Sequence, residues 1–272
     1  MSRTLRQGVV AFIFVSFVAL LLWGVYVAFI KAPETCSDAK QNQNEEGIDC
    51  GGICTAACIE EVVGKDLQIQ EVTFVLGGAN TYDILGRFFN PNSAVGASEF
   101  QYTFELHDAN NQVLATRSGK NYALPQETKD IIELNIETGG MPVKATLTVN
   151  DVVWEKASGY REKPAVNIYQ KRYSSMTSGF GFSKASGLLS NESPYDFRSI
   201  DVGVILRDAS GRLLALNKTR QNNIKAGESR DFDLVWPLPF PGIVEQVDME
   251  VDADVYHSEN FSKQYFPGGS AR

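Results

Sequence analysis

Four cysteines, Cys36, Cys50, Cys54 and Cys58, lie in one short stretch of a 272-residue chain that has no others. Close cysteines in even number, outside a reducing compartment, read as disulfides, here two bonds with three open pairings. The rival chemistry is a zinc or iron–sulfur site, but the Cys-x-x-x-Cys spacing departs from the Cys-x-x-Cys usual for such sites. Among the cysteines stand Asp38, Asn42, Glu45 and Asp49, on a loop with Gly47, Gly51 and Gly52. A hard cation such as Ca²⁺ takes about 6–8 oxygen ligands in tolerant geometry, so these four side chains are candidate calcium ligands, although their spacing is not that of an EF-hand. The alternative is an acidic, solvated loop closed by disulfides alone. Both stand at this level, and no other cofactor is expected.

Material for acid–base chemistry is thin. The two histidines are His107, beside Asp108 at the end of an alternating run, and His257, after Tyr256. Neither belongs to a recognisable catalytic spacing, and Gly-x-Ser-x-Gly, His-Glu-x-x-His and Gly-rich phosphate loops are absent. Position 107 reads as an exposed polar site. Asp248, Glu250, Asp252 and Asp254 alternate with other residues, which puts four acids on one strand face; a solvated outer face is the plain reading, since a glycosidase-like pair needs acids from separate strands. Residues 179–182 read as an edge strand with a flexible start. Pro237, Pro239 and Pro241 make a stiff connection under which Trp236 packs. Asn191, Asn217 and Asn260 begin glycosylation acceptor patterns, which matter only in a eukaryotic secretory pathway. No catalytic residue is assigned, and the chain is expected not to be an enzyme.

The elements that must carry these residues begin with residues 8–30, an uncharged apolar run. At ~1.5 Å per residue it extends about 34 Å, enough for a hydrocarbon core of ~30 Å. Arg3 and Arg6 precede it, and Glu34, Asp38, Glu45, Glu46 and Asp49 follow Lys31. The positive-inside bias then puts residues 1–7 in the cytoplasm and the rest beyond a cell membrane. A cleaved signal peptide has an apolar stretch of only ~7–15 residues, so a retained single-pass anchor is expected. Pro33, Glu34 and Thr35 do not make a lipoprotein signal before Cys36. Trp23 and Tyr26 suit an interface, and Gly24 with Ala28 would admit close helix approach. The chain carries net charge −8, with 25 basic against 33 acidic residues. Nucleic acid, bound through clustered Lys and Arg, is not an expected partner.

From residue 63 onward short alternating runs separated by turn residues dominate, the signature of an all-β fold. Residues 100–106 place apolar side chains at every second position, and residues 200–206 repeat the run one hundred positions on. Each leads into a matching turn, at 107–115 and 207–215. Gly86 and Asn90 correspond to Gly187 and Asn191, and Glu127 with Asp130 to Glu228 with Asp231. A repeat of this length suits two sandwiches. The expected domains are a Cys-rich stalk module at 31–62, β-sandwiches at 63–157 and 164–262, joined near 158–163, and a tail at 263–272.

Two resemblances add to this. Residues 36–54 resemble a short module of bacterial surface and secreted proteins, Cys-x-Asp-Gly-x-x-Asn-x-x-Glu-Thr-Gly-x-Asp-Cys-Gly-Gly-x-Cys. Asp38, Asn42, Glu45, Gly47, Asp49, Gly51 and Gly52 fall on the pattern, while Ala39 replaces its first glycine and Glu46 its threonine. Each long repeat resembles the FxLYD-type domains of bacterial envelope proteins, which are similar to the seven-stranded sandwich of late embryogenesis abundant (water-stress) domains. These motifs imply a fold and no reaction.

The expectation is therefore one transmembrane helix followed by two tandem Ig-like β-sandwiches. Such a chain would act as a non-catalytic extracytoplasmic scaffold, adhesion or assembly partner for other envelope proteins. The alternative is a ligand- or polysaccharide-binding module presented to a membrane-bound machine. The sequence leaves the oligomeric state open.

Overall fold

A computed structural model describes residues 3–27, 36–42, 44–56, 58, 62–157, 159–160 and 162–266. Residues 28–35, with Ala28 and the proposed end of the anchor, Ser158 at the expected join, and residues 267–272 lie outside these. The chain divides into two compact units, Met1–Glu61 and Val62–Arg272.

The first unit opens with helix α1 (Arg3–Val25). Its segment Arg6–Val25 has mean hydropathy 2.6 and none of it is buried, so it is long and apolar enough to cross a membrane. A helix meets that need because it satisfies every backbone N–H and C=O within the segment. The cysteines pair as Cys36–Cys54 and Cys50–Cys58. All four sulfurs are bonded, which removes them as zinc or iron–sulfur ligands. Ala39, which replaces the first glycine of the pattern that residues 36–54 resemble, adopts φ 56°. That left-handed conformation explains the glycine preference, since an alanine there costs about 1–2 kcal/mol.

The second unit is all-β. Its first six strands are β1 (Gln68–Leu76), β2 (Thr81–Phe89), β3 (Val95–His107), β4 (Val113–Ala123), β5 (Thr128–Glu137) and β6 (Lys144–Lys156). Six more follow: β7 (Val166–Ser175), β8 (Ser183–Asn191), β9 (Phe197–Arg207), β10 (Leu213–Ile224), β11 (Ser229–Trp236) and β12 (Gln246–Ala253). They form four antiparallel sheets, ordered β1-β2-β5 and β4-β3-β6 in the first half and β7-β8-β11 and β10-β9-β12 in the second. The connectivity is the same twice over, with six strands per half. Ile84, Phe88, Ile131 and Ile136 from one sheet pack on Phe100, Phe104, Leu106 and Leu147 from the other. A Cβ at Gly86 would come within 2.7 Å of Leu147 and Phe104, so glycine lets these sheets close. Ile200, Val202, Val204, Leu206, Phe232 and Leu234 build the second core.

The repeated motifs are structural latches. Fully buried Asn90 donates through Nδ2 to the carbonyls of Val95 and Leu124, at 3.0 and 2.9 Å. Asn191 does the same to Tyr195 and Lys225, at 2.7 and 3.0 Å. Glu127 and Glu228 close the adjoining turns by accepting from the Leu124 and Lys225 N–H groups. Asp108 and Asp208 each accept two N–H bonds in their hairpin turns, whose left-handed residues are Asn111 and Gly211.

Two expectations need correction. Residues 179–182 form a loop, and β8 begins at Ser183; Phe182 is held by its ring contact with Phe240. The expected tail is instead part of the body as far as Phe266: helix α2 (Glu259–Tyr265) seats Phe261, and both Phe261 and Phe266 are buried in the second core. An aromatic side chain in a core outweighs the weak helix-forming tendency of so short a segment.

The two halves do not sit as separate beads. Leu85 and Ile132 on the outer face of β1-β2-β5 meet Ile205, Leu213 and Leu216 on the outer face of β10-β9-β12. Each fully buried aliphatic side chain contributes roughly 1.5–3 kcal/mol, whereas an exposed ion pair gives at most about 1 kcal/mol. The apolar patch therefore dominates this seam, and the charged groups around it fix its register. A Cβ at Gly203 would lie 2.9 Å from Ile132 Cδ1, so glycine permits the close approach.

Candidate functional site

Beside the apolar patch the seam widens into a polar cleft of about 340 Å³. Glu250 and Asp252 of β12, and Asp254 just beyond it, line this cleft, while Asp248 is exposed outside it. Asp252 meets the first sandwich, and Glu250 reaches Arg87 across the seam while keeping 45% of its side-chain surface in solvent, so the expected solvated face is covered only in part. Alternation shows which residues share a face; the fold decides what that face meets.

Lys129 of β5, 5% exposed, places Nζ 2.8 Å from Asp252 Oδ1 and 3.3 Å from the centre of the Tyr122 ring. It also donates to the Tyr122 carbonyl at 3.1 Å. The Tyr122 hydroxyl donates to Asp252 and lies against the Ala253 carbonyl. Burial pushes the Asp252 carboxyl above its ordinary value, and Lys129 opposes that push. Burial likewise raises the Tyr122 phenol, with the Asp252 charge acting in the same direction. Tyr256 completes the junction, its ring 5.5 Å from that of Tyr122 and its hydroxyl donating to the Ala123 carbonyl.

A second group forms around Arg87 of β2. Its guanidinium holds Asp130 through two 2.7 Å bonds and reaches Glu250 only at 3.6 Å. Glu250 is pushed up to about 7 by desolvation first and by Asp130 second, with Arg87 opposing. Elsewhere along the seam Arg207 holds Glu71 at 3.0 Å, and Lys218 donates to the Ile132 carbonyl at 2.6 Å. Arg220 pairs with Asp201, and Lys163 with Glu127. Most charges in the cleft are thus spent on one another, an arrangement that braces two domains.

His257 Nδ1 lies 2.7 Å from Asp254 Oδ1. Among the described residues, no hydroxyl or thiol is hydrogen-bonded to this histidine. His107 is buried, not exposed: it is 6% accessible, with Nε2 3.2 Å from Thr146 Oγ1 and 3.3 Å from Glu105, and Nδ1 without a partner. Asn191, the latch residue, is inaccessible to a glycan, and Asn217 donates to the Val235 carbonyl; Asn260 is exposed on α2.

In the first unit, both Asp49 carboxylate oxygens accept backbone N–H groups, from Asp38 and Ala39, at 2.9 Å. Asp38 accepts from the Lys40 N–H and from Asn42 Nδ2, and Glu45 Oε2 accepts from the Asn42 N–H. The four candidate calcium ligands are therefore joined in one hydrogen-bonded loop. A cation would have to share these oxygens with their donors. Glu45 Oε1 lies 3.2 Å from Cys54 Sγ, a contact without a proton because that sulfur is in a disulfide.

No family model matches the chain. No curated protein matches it. Among solved structures, a crystal structure of red sea bream transglutaminase aligns at 8% identity over 69% of this chain and 30% of that one, with a TM-score of 0.23. The chain thus spans under a third of that protein's length, and a similarity so slight carries no argument about fold or activity.

Sequence reasoning missed the cleft residues Arg87, Tyr122, Lys129 and Asp130. A signal was present: Ile205 and Leu216 interrupt the alternation of their strands, and uninterrupted apolar runs belong to strands buried on both faces.

Proposed function

We propose that the chain is a membrane-anchored, extracytoplasmic envelope protein that acts without catalysis, as a scaffold, adhesion or assembly partner. In this reading α1 is a retained anchor with its N-terminus in the cytoplasm. The disulfides suit the oxidising side of a membrane. The observation that carries the reading is the seam: two sandwiches joined by an apolar patch and a self-paired charge network make a rigid body suited to presenting surfaces. The likeness of the repeats to FxLYD-type and water-stress domains, and of residues 36–54 to a bacterial surface module, points the same way.

The second reading, a module for a ligand or polysaccharide, draws on the cleft. The groups in the cleft already satisfy one another, so a ligand would have to displace ion pairs; the scaffold reading is preferred for that reason. Calcium held by Asp38, Asn42, Glu45 and Asp49 belongs to the proposal as a staple for the module. Titration calorimetry without heat at millimolar calcium would remove it.

The deciding experiment is proximity labelling from the C-terminus of the full chain in its native membrane. Repeated recovery of particular envelope proteins is expected. Labelling indistinguishable from that of an unrelated anchored sandwich would end the scaffold reading, and protection of the C-terminus from external protease in intact cells would overturn the orientation.

A further inference from the structure

We propose that Glu250 and Asp130 form a proton-binding pair across the seam, so that one proton ties the second sandwich to the first and its release loosens them. The geometry sets two carboxyl groups from different sandwiches around one guanidinium. Arg87 spends its paired donors on Asp130 and keeps only a 3.6 Å contact for Glu250. With both acids ionised, like charges face each other with one cation between them. With Glu250 protonated, its hydroxyl donates to the Asp130 carboxylate, a charge-assisted bond between the domains.

The groups around Glu250 are these. Arg87 on β2, Asp130 on β5 and Lys163 in the linker act on it directly, and Glu71 on β1 acts on Arg87. Asp248 and Asp252 flank it on β12, and Gly203 of β9 is its strand partner. Lys171 of β7 is occupied with the neighbouring Met249 carbonyl. Among the described residues, Arg87 and Lys163 favour the ionised form, and both already hold another acid, Asp130 and Glu127.

The sign follows from linkage. Glu250 is pushed up to about 7 from its ordinary 4.5. A group raised on folding contributes stability that is full below its unfolded value and is lost as pH rises through its folded value. Glu250 keeps 45% of its side-chain surface in contact with solvent, which moderates the size of the effect and not its direction.

The test is thermal unfolding of the full chain in detergent micelles, followed by tryptophan fluorescence, between about pH 5.5 and about pH 8.5, values that bracket the shifted group. Wild type is compared with Glu250→Gln, which keeps a donor without a charge, and with Glu250→Ala, which keeps neither. The wild-type midpoint should fall with rising pH relative to Glu250→Gln, and Glu250→Ala should unfold below Glu250→Gln throughout. Parallel pH profiles for wild type and Glu250→Gln would overturn the proton-binding pair. An alanine variant as stable as the glutamine variant would overturn the shared bond.

Discussion

Lys129 in the first sandwich and Asp252 in the second approach to 2.8 Å, on the face of the Tyr122 ring. Lys129→Met keeps the apolar stem and removes the charge, leaving Asp252 opposite a methyl group. Breaking a fully buried pair costs about 3–5 kcal/mol. Asp252 is 28% exposed, so about 2 kcal/mol is expected here. The deficit should shrink on acidification, because an Asp252 freed from Lys129 takes up a proton more readily. Urea unfolding of both proteins at two pH values measures this; a deficit independent of pH would contradict it.

Asn90→Ala and Asn191→Ala should be costly to a similar degree. Each removes two bonds donated by Nδ2 to backbone carbonyls and two accepted by Oδ1, although the Leu124 and Lys225 carbonyls keep the N–H groups of Glu127 and Glu228. At about 1–3 kcal/mol for each buried group left unsatisfied, a loss of roughly 2–4 kcal/mol is expected. Replacement by Asp should not rescue, since the latch needs an N–H donor. A midpoint within a degree of wild type for either alanine variant would show that the repeated Asn is not a latch.

Ala39→Gly should stabilise the disulfide module. Relieving a left-handed alanine gives about 0.4–1 kcal/mol, even after the greater freedom of glycine in the unfolded chain is counted. That corresponds to a roughly two- to fivefold slower reduction of the disulfides by dithiothreitol when attack proceeds through local opening. Alkylation and mass spectrometry follow the rate, and faster reduction of the variant would refute the strain argument.

The all-β character, the duplication and the cysteine module were legible in the sequence because each is a local pattern: alternation, spacing, turn chemistry. The seam was not. Asp248, Glu250, Asp252 and Asp254 alternate as a solvated face would, and nothing local says that a second sheet covers part of it. His107 was misjudged because its repeat counterpart is Arg207, yet Arg207 is itself largely covered, holding Glu71 and the Gly211 carbonyl. The residues that carried the missing information were Leu85, Ile205 and Leu216, apolar where strict alternation asks for a polar side chain.

The seam joins unlike faces: β1-β2-β5 of one repeat meets β10-β9-β12 of the other, and the latter corresponds to β4-β3-β6. A head-to-tail contact of this kind can propagate from molecule to molecule without limit, because every copy keeps one free face of each type. At the equivalent positions on the free faces, Leu85 and Ile132 give way to Ser186 and Asp233, and Ile205 and Leu216 to Glu105 and Thr116. Each sandwich thus covers its sibling's apolar face, while polar side chains stand at these positions on the outward faces, though Val113, the counterpart of Leu213, stays apolar and exposed.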